Sequence, residues 1–176
     1  MLFGAVSGEL EIRQVNGETR LHGRFPYNAV STGAIRGTGQ KEQFRPGAFS
    51  SRIANRGDNI FLLSHHDIRM PLASKDAGTL TFTDSENALE FNALIGPEIA
   101  GTSYGQDTLA QIRSGLVTGI SPGFNIIRQK VVDNIRTIEA CDLGEISIVT
   151  APIYGDATVE ARAVGIRSAK WRRLLL

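Results

Sequence analysis

Short alternating segments dominate the chain, and long amphipathic repeats are scarce. Residues 8–13 alternate, with Leu10 and Ile12 on one face. Asn16-Gly17 follows, the residue pair with the strongest preference for a two-residue hairpin turn. Thr19, Leu21, Gly23 and Phe25 then share one face, and Arg20, His22 and Arg24 the other. This predicts a half-buried strand pair. Residues 59–66 read as a strand. So do 79–83 and 88–95, joined around Asp84-Ser85-Glu86-Asn87. Three further strands are predicted at 116–128, 130–141 and 144–151, the last ended by Pro152. Residues 28–43 are rich in Gly, Thr and Ser, lack periodicity and read as a long loop. Helical signals are few. Pro46-Gly47-Ala48-Phe49 opens a short helix that exits at Asn55-Arg56-Gly57. A better one runs from Tyr104 to Ser114, with Leu109, Ile112 and Leu116 at helical spacing and Gly115 as C-cap. The expected fold is therefore β-rich (α+β).

Composition narrows the class. The chain has 176 residues, 41% hydrophobic and 21% charged, which suits one globular domain able to bury a core unaided. One cysteine, Cys141, permits no internal disulfide and reads as a small packing residue in a reducing, cytosolic setting. No apolar run is long enough to span a membrane, and the first residues lack the pattern of a signal peptide. The net charge of +1 hides an asymmetry. From Arg162 onward there are five cations and no acids, leaving fourteen cations against eighteen acids before it. The division expected is a domain over 1–160 and a basic amphipathic tail over 161–176, which docks on a partner or packs on the body. An acidic body has no basic stripe for nucleic acid.

Three segments could carry chemistry. In 61–67 an apolar strand runs into His65-His66-Asp67, with the two histidines on opposite faces by alternation. Taken alone, they read as surface residues at a strand end. A metal site is the other reading, but adjacent residues on opposite faces suit one ion poorly, and no third histidine or cysteine lies nearby. In 115–124, Ser121 stands between Gly119 and Gly123, held extended by Pro122, as an accessible side chain in a shallow slot. The plain alternative is a Gly/Pro bulge with serine as filler. The Gly-x-Ser-x-Gly spacing lies on a continuing strand and is not a strand-to-helix nucleophile elbow. In 143–152, Glu145, Ser147 and Val149 share a face opposite Ile146 and Ile148; alone, Glu145 reads as the solvated start of a strand.

The order and company of these segments resemble the prohead (procapsid) maturation proteases of tailed bacteriophages. The resemblance covers about residues 21–157. It rests on Pro46-Gly47-Ala48-Phe49, the apolar strand ending at His66-Asp67 and the helix leading into Gly115. Ile120-Ser121-Pro122-Gly123-Phe124 and the run from Leu143 to Val149 followed by Ala151-Pro152 complete it. That family is similar in fold to the herpesvirus assembly proteases. The resemblance therefore implies a single β-barrel of antiparallel-type strands with a few surrounding helices. It implies a serine endopeptidase with Ser121 as nucleophile, His66 as general base and Glu145 orienting His66. The herpesvirus enzymes use a second histidine as third member, but none follows Ser121 here; His65 and His22 are the fallback members. Such chemistry needs no metal or cofactor. Pro122 has no N–H, so the oxyanion-hole donors come from elsewhere and are unknown. The implied substrates are scaffold and major capsid protein extensions, and the chain itself, inside the assembling prohead in the host cytoplasm. The herpesvirus enzymes suggest dimers or higher oligomers; charge and hydropathy, as above, predict no nucleic-acid or membrane partner. The alternative is a non-enzymatic β-barrel of a capsid or tail.

Overall fold

The structure, a computed structural model, describes residues 2–3, 9–15, 18–31, 34–35 and 38–150. The expected Asn16-Gly17 turn, the stop at Pro152 and the basic tail over 161–176 lie outside the described residues.

Among the described residues, ten strands and three short helices follow one another. They are β1 (Leu2–Phe3), β2 (Glu9–Val15), β3 (Glu18–Pro26), β4 (Lys41–Phe44) and α1 (Ser50–Ala54). Then come β5 (Phe61–Ser64), β6 (Asp67–Ser74), β7 (Leu80–Asp84) and β8 (Ala88–Ile95). Last are α2 (Pro97–Ala100), α3 (Ser103–Arg113), β9 (Gly119–Val132) and β10 (Ile135–Val149). The β-rich expectation holds. The strands form two open sheets, ordered β2-β3-β8-β7 and β1-β9-β10-β5-β6, with β4 also pairing β10. No ladder closes a barrel among the described residues. The second sheet is also not purely antiparallel, because β10 runs parallel to both β4 and β5. After β5 and β6 the chain builds half of the other sheet before returning in the β9–β10 hairpin, and that crossover is what makes parallel pairing possible.

The core lies between the sheets. In β3, Thr19, Leu21, Gly23 and Phe25 are buried, as the alternation requires. Phe25 meets Phe44 of β4 edge-on at 5.3 Å between ring centroids, and Phe44 meets Phe124 of β9 at 5.1 Å. Phe49 stacks on Phe44 at 5.0 Å, so the Pro46-Gly47-Ala48-Phe49 segment is core packing. Helix α1 begins only at Ser50, after a turn in which Gly47 takes φ +77°. Cys141 is fully buried and its Sγ faces the Ala48 carbonyl at 3.4 Å, a packing residue as expected.

Several strand expectations need correction. The predicted loop over 28–43 contains most of β4. A buried ion pair pins that strand to β10: Arg136 donates through Nε (2.8 Å) and Nη2 to Glu42, its register partner. Strand β6 was not expected, because its interior Pro71 argues against a strand; it is an edge strand with a register shift at that point, where proline is tolerated. The three strands expected after residue 116 are two long ones. Asp133 and Asn134, at φ +50° and +62°, make the turn inside what the alternation read as one strand. Helix α3 ends as predicted, with Gly115 at φ +73°. The Gly115 N–H reaches the Ile112 carbonyl and the Leu116 N–H the Gln111 carbonyl, closing the last turn. Leu109 and Ile112 are buried, but Leu116, past that turn, is exposed.

Candidate active site

The face of the β9–β10 hairpin turned away from the core carries the polar residues. Ser121 lies directly across from Ser147, and Gly123 from Glu145. Ile120, Phe124, Leu143, Ile146 and Ile148 fill the opposite, core face. Leu143 and Glu145 are two residues apart and should share a face. A register shift between them leaves Gly144 as an extra residue, so Leu143 enters the core and Glu145 the polar face. Glu145 is 4% exposed, so the reading as a solvated strand end is wrong.

His66 arrives from the neighbouring strand. Strand β5 pairs with β10 as far as Ser64–Ile148. The His65 N–H then donates to the Ile148 carbonyl at 2.9 Å. His65 and His66 both adopt left-handed φ, +53° and +60°, and turn the chain into β6. Strand alternation is therefore not what aims His66. A two-residue turn with both φ positive does so, in a region that non-glycine residues seldom occupy. Where the ladder stops, the His66 N–H donates to Ser147 Oγ at 3.0 Å.

Three predicted side chains meet there. Glu145 Oε1 lies 2.6 Å from His66 Nδ1, and His66 Nε2 lies 3.0 Å from Ser121 Oγ. A carboxylate only accepts, so Nδ1 carries the ring proton and Nε2 offers its lone pair to the serine hydroxyl. The second carboxylate oxygen, Oε2, accepts from Ser147 Oγ. Ser121 is 2% exposed and does not stand in an open slot. Gly123 serves a different purpose from the one alternation suggested: a Cβ there would lie 2.3 Å from Glu145 Oε1, so the missing side chain is the space the carboxylate occupies. Ser147 had no role in the sequence reading. Its signal was available, as a hydroxyl two residues after Glu145 on the same face within an otherwise apolar run.

The fallback histidines are elsewhere. His65 Nδ1 faces Ser64 Oγ at 3.0 Å; that hydroxyl meets Thr108 Oγ1 of α3 at 2.8 Å, and Thr108 donates to the Tyr104 carbonyl. Read back from that carbonyl, each hydroxyl donates forward and His65 donates from Nδ1. His22 lies in the other sheet, 3.9 Å from Glu90. The His65-His66-Asp67 triplet does not fit a metal ion. The two rings are bonded to different partners. The Asp67 carboxylate is taken by Arg69, whose hydrogen bonds lower its pKa to about 2. Among the described residues no three His, Cys, Asp or Glu side chains gather as metal ligands. No described helix is long and apolar enough to cross a membrane.

Comparison with known proteins agrees in one respect and is silent in two. No curated protein and no solved structure matches the chain. The family model described as Caudovirus prohead serine protease matches residues 9–171, and so takes in every strand of both sheets except β1 and every residue of the cluster around Ser121. A hydroxyl, an imidazole and a carboxylate in hydrogen-bond sequence on a chain matched over nearly its whole length lead to one assignment: the chain belongs to the caudovirus prohead serine proteases, the serine peptidases of phage capsid maturation.

Proposed function

We propose that Ser121, His66 and Glu145 are the catalytic residues of this peptidase. The observation that carries the proposal is the continuous hydrogen-bond line from Ser121 Oγ through both nitrogens of His66 to Glu145. Ser121 Oγ attacks the carbonyl carbon of the scissile peptide as its proton passes to His66 Nε2. A serine hydroxyl is a weak nucleophile near neutral pH, and a neutral imidazole at hydrogen-bond distance removes that limitation. The imidazolium formed is offset by the Glu145 carboxylate on Nδ1. When the tetrahedral intermediate collapses, Nε2–H gives its proton to the leaving amine, and the acyl group stays on Ser121. Water, deprotonated by the same nitrogen, then releases it. Pro122 supplies no N–H to the developing oxyanion, so the donors belong to other groups.

The substrates proposed are extensions of the scaffold and major capsid proteins inside the assembling shell in the host cytoplasm, with self-cleavage included. The proposed architecture is the barrel of the herpesvirus assembly proteases; two sheets around one aromatic core support it. Convergence of the three side chains speaks against a shell protein that has lost its chemistry. The deciding experiment is Ser121→Ala. It should lower proteolysis by about a thousandfold or more while leaving the thermal unfolding curve in place. Scaffold processing at the wild-type rate by this variant would end the assignment.

A further inference from the structure

We infer that Ser147 is a positioning residue of the same site; this rests on the roles proposed above for His66 and Glu145. Its hydroxyl has one proton and two lone pairs. The proton goes to Glu145 Oε2, and a lone pair accepts the His66 N–H at 3.0 Å. One side chain therefore holds both the carboxylate and the main chain of the general base.

The need for such a tie follows from the backbone. The ladder between β5 and β10 gives its last main-chain bond at His65. Both histidines of the turn are left-handed, a conformation that costs free energy and lasts only where neighbours enforce it. At His66 the Ser147 hydroxyl takes the place of a ladder carbonyl. Glu145 is held in the same way. One oxygen faces His66 Nδ1 and the other faces Ser147, so the carboxylate cannot rotate about its terminal bond without losing both. Ser147 is fully buried, so its hydroxyl is held between these two partners out of contact with bulk solvent. It acts on the reaction through its two partners, as the register partner of Ser121 across the ladder.

A fluorophosphonate probe reports this directly, because its maximal inactivation rate requires an activated Ser121 while its half-saturating concentration does not. Wild type, Ser147→Ala, Glu145→Ala and the double variant are compared, each corrected for the folded fraction. Ser147→Ala should lower the maximal rate on the order of tenfold or more and leave half-saturation nearly unchanged. In the Glu145→Ala background the same change should matter much less, because its target is gone. The low-field proton resonance of His66 Nδ1–H should broaden in Ser147→Ala. Ser147→Cys, of similar size and a weaker donor, should fall between wild type and alanine, and carries the same comparison if the alanine variant does not fold. A full maximal rate in Ser147→Ala, or the same fractional loss in both backgrounds, overturns the inference. If Ser121→Ala also abolishes labelling and proteolysis, that failure concerns Ser147 alone. Proteolysis persisting in Ser121→Ala would instead remove the underlying reading of the site.

Discussion

Gly123→Ala tests the site through a residue that bears no functional group. The added methyl would sit 2.3 Å from Glu145 Oε1 and 2.8 Å from both Cγ and Cδ, whereas ordinary contact begins at 3.4 Å. The carboxylate must retreat by about 1 Å. A flexible side-chain end usually retreats at little cost, but this one is buried and held at both oxygens, by His66 and by Ser147. Its 2.6 Å contact with His66 Nδ1 is what the methyl displaces. A misplacement of about 1 Å in a catalytic constellation costs on the order of a hundredfold in rate, or about 2.7 kcal/mol in the barrier. We expect the maximal inactivation rate by a fluorophosphonate to fall by that order, with half-saturation nearly unchanged. Gly123→Ala added to Glu145→Ala should then cost little more, since the methyl enters space the carboxylate has vacated. Wild-type labelling by the single variant would refute the reasoning, because it would mean that the position of Glu145 does not matter to Ser121.

Three further outcomes can be checked with the same protein. His66→Ala should be as damaging as Ser121→Ala in a proteolysis assay, whereas His65→Ala should keep most of the activity, since the His65 ring is bonded to Ser64; the reverse ranking would exchange their roles. Glu145→Gln should lower the rate strongly without reaching background, because an amide can still meet the ring but cannot offset the imidazolium; equal rates for variant and wild type would show that another group orients His66. Cys141, whose thiol pKa is raised above its usual range chiefly by burial, should resist alkylation at pH 8 in the folded protein and react at once in denaturant; stoichiometric labelling of the native protein would contradict its place in the core.

Local signals carried much of this protein. Period-two alternation was enough to pair β2 with β3 and β7 with β8, because a strand with one buried face cannot slip by a residue without exposing its core side chains. Gly115 announced the end of α3 because a left-handed residue is what closes a helix there. The same reasoning put Ser121 and Glu145 on the polar faces of their strands and left Ile146 and Ile148 for the core. Alternation failed where the chain departed from regular extension. It read His65 and His66 as the end of a strand, although two left-handed residues turn the chain there. It read straight through Asp133-Asn134, although Asp and Asn are the non-glycine residues that best tolerate positive φ, and it missed β6, because a strand containing proline contradicts its local propensity. Ser147 and Gly123 illustrate the remaining limit. A hydroxyl and a missing Cβ have no meaning along one strand. They acquire it when antiparallel register sets Ser147 across from Ser121 and Gly123 beneath the Glu145 carboxylate. The sequence could state that a serine, a histidine and a carboxylate were present. Their distances depended on a parallel β5–β10 pairing between segments some eighty residues apart, and contacts of that range are settled by packing of the whole core.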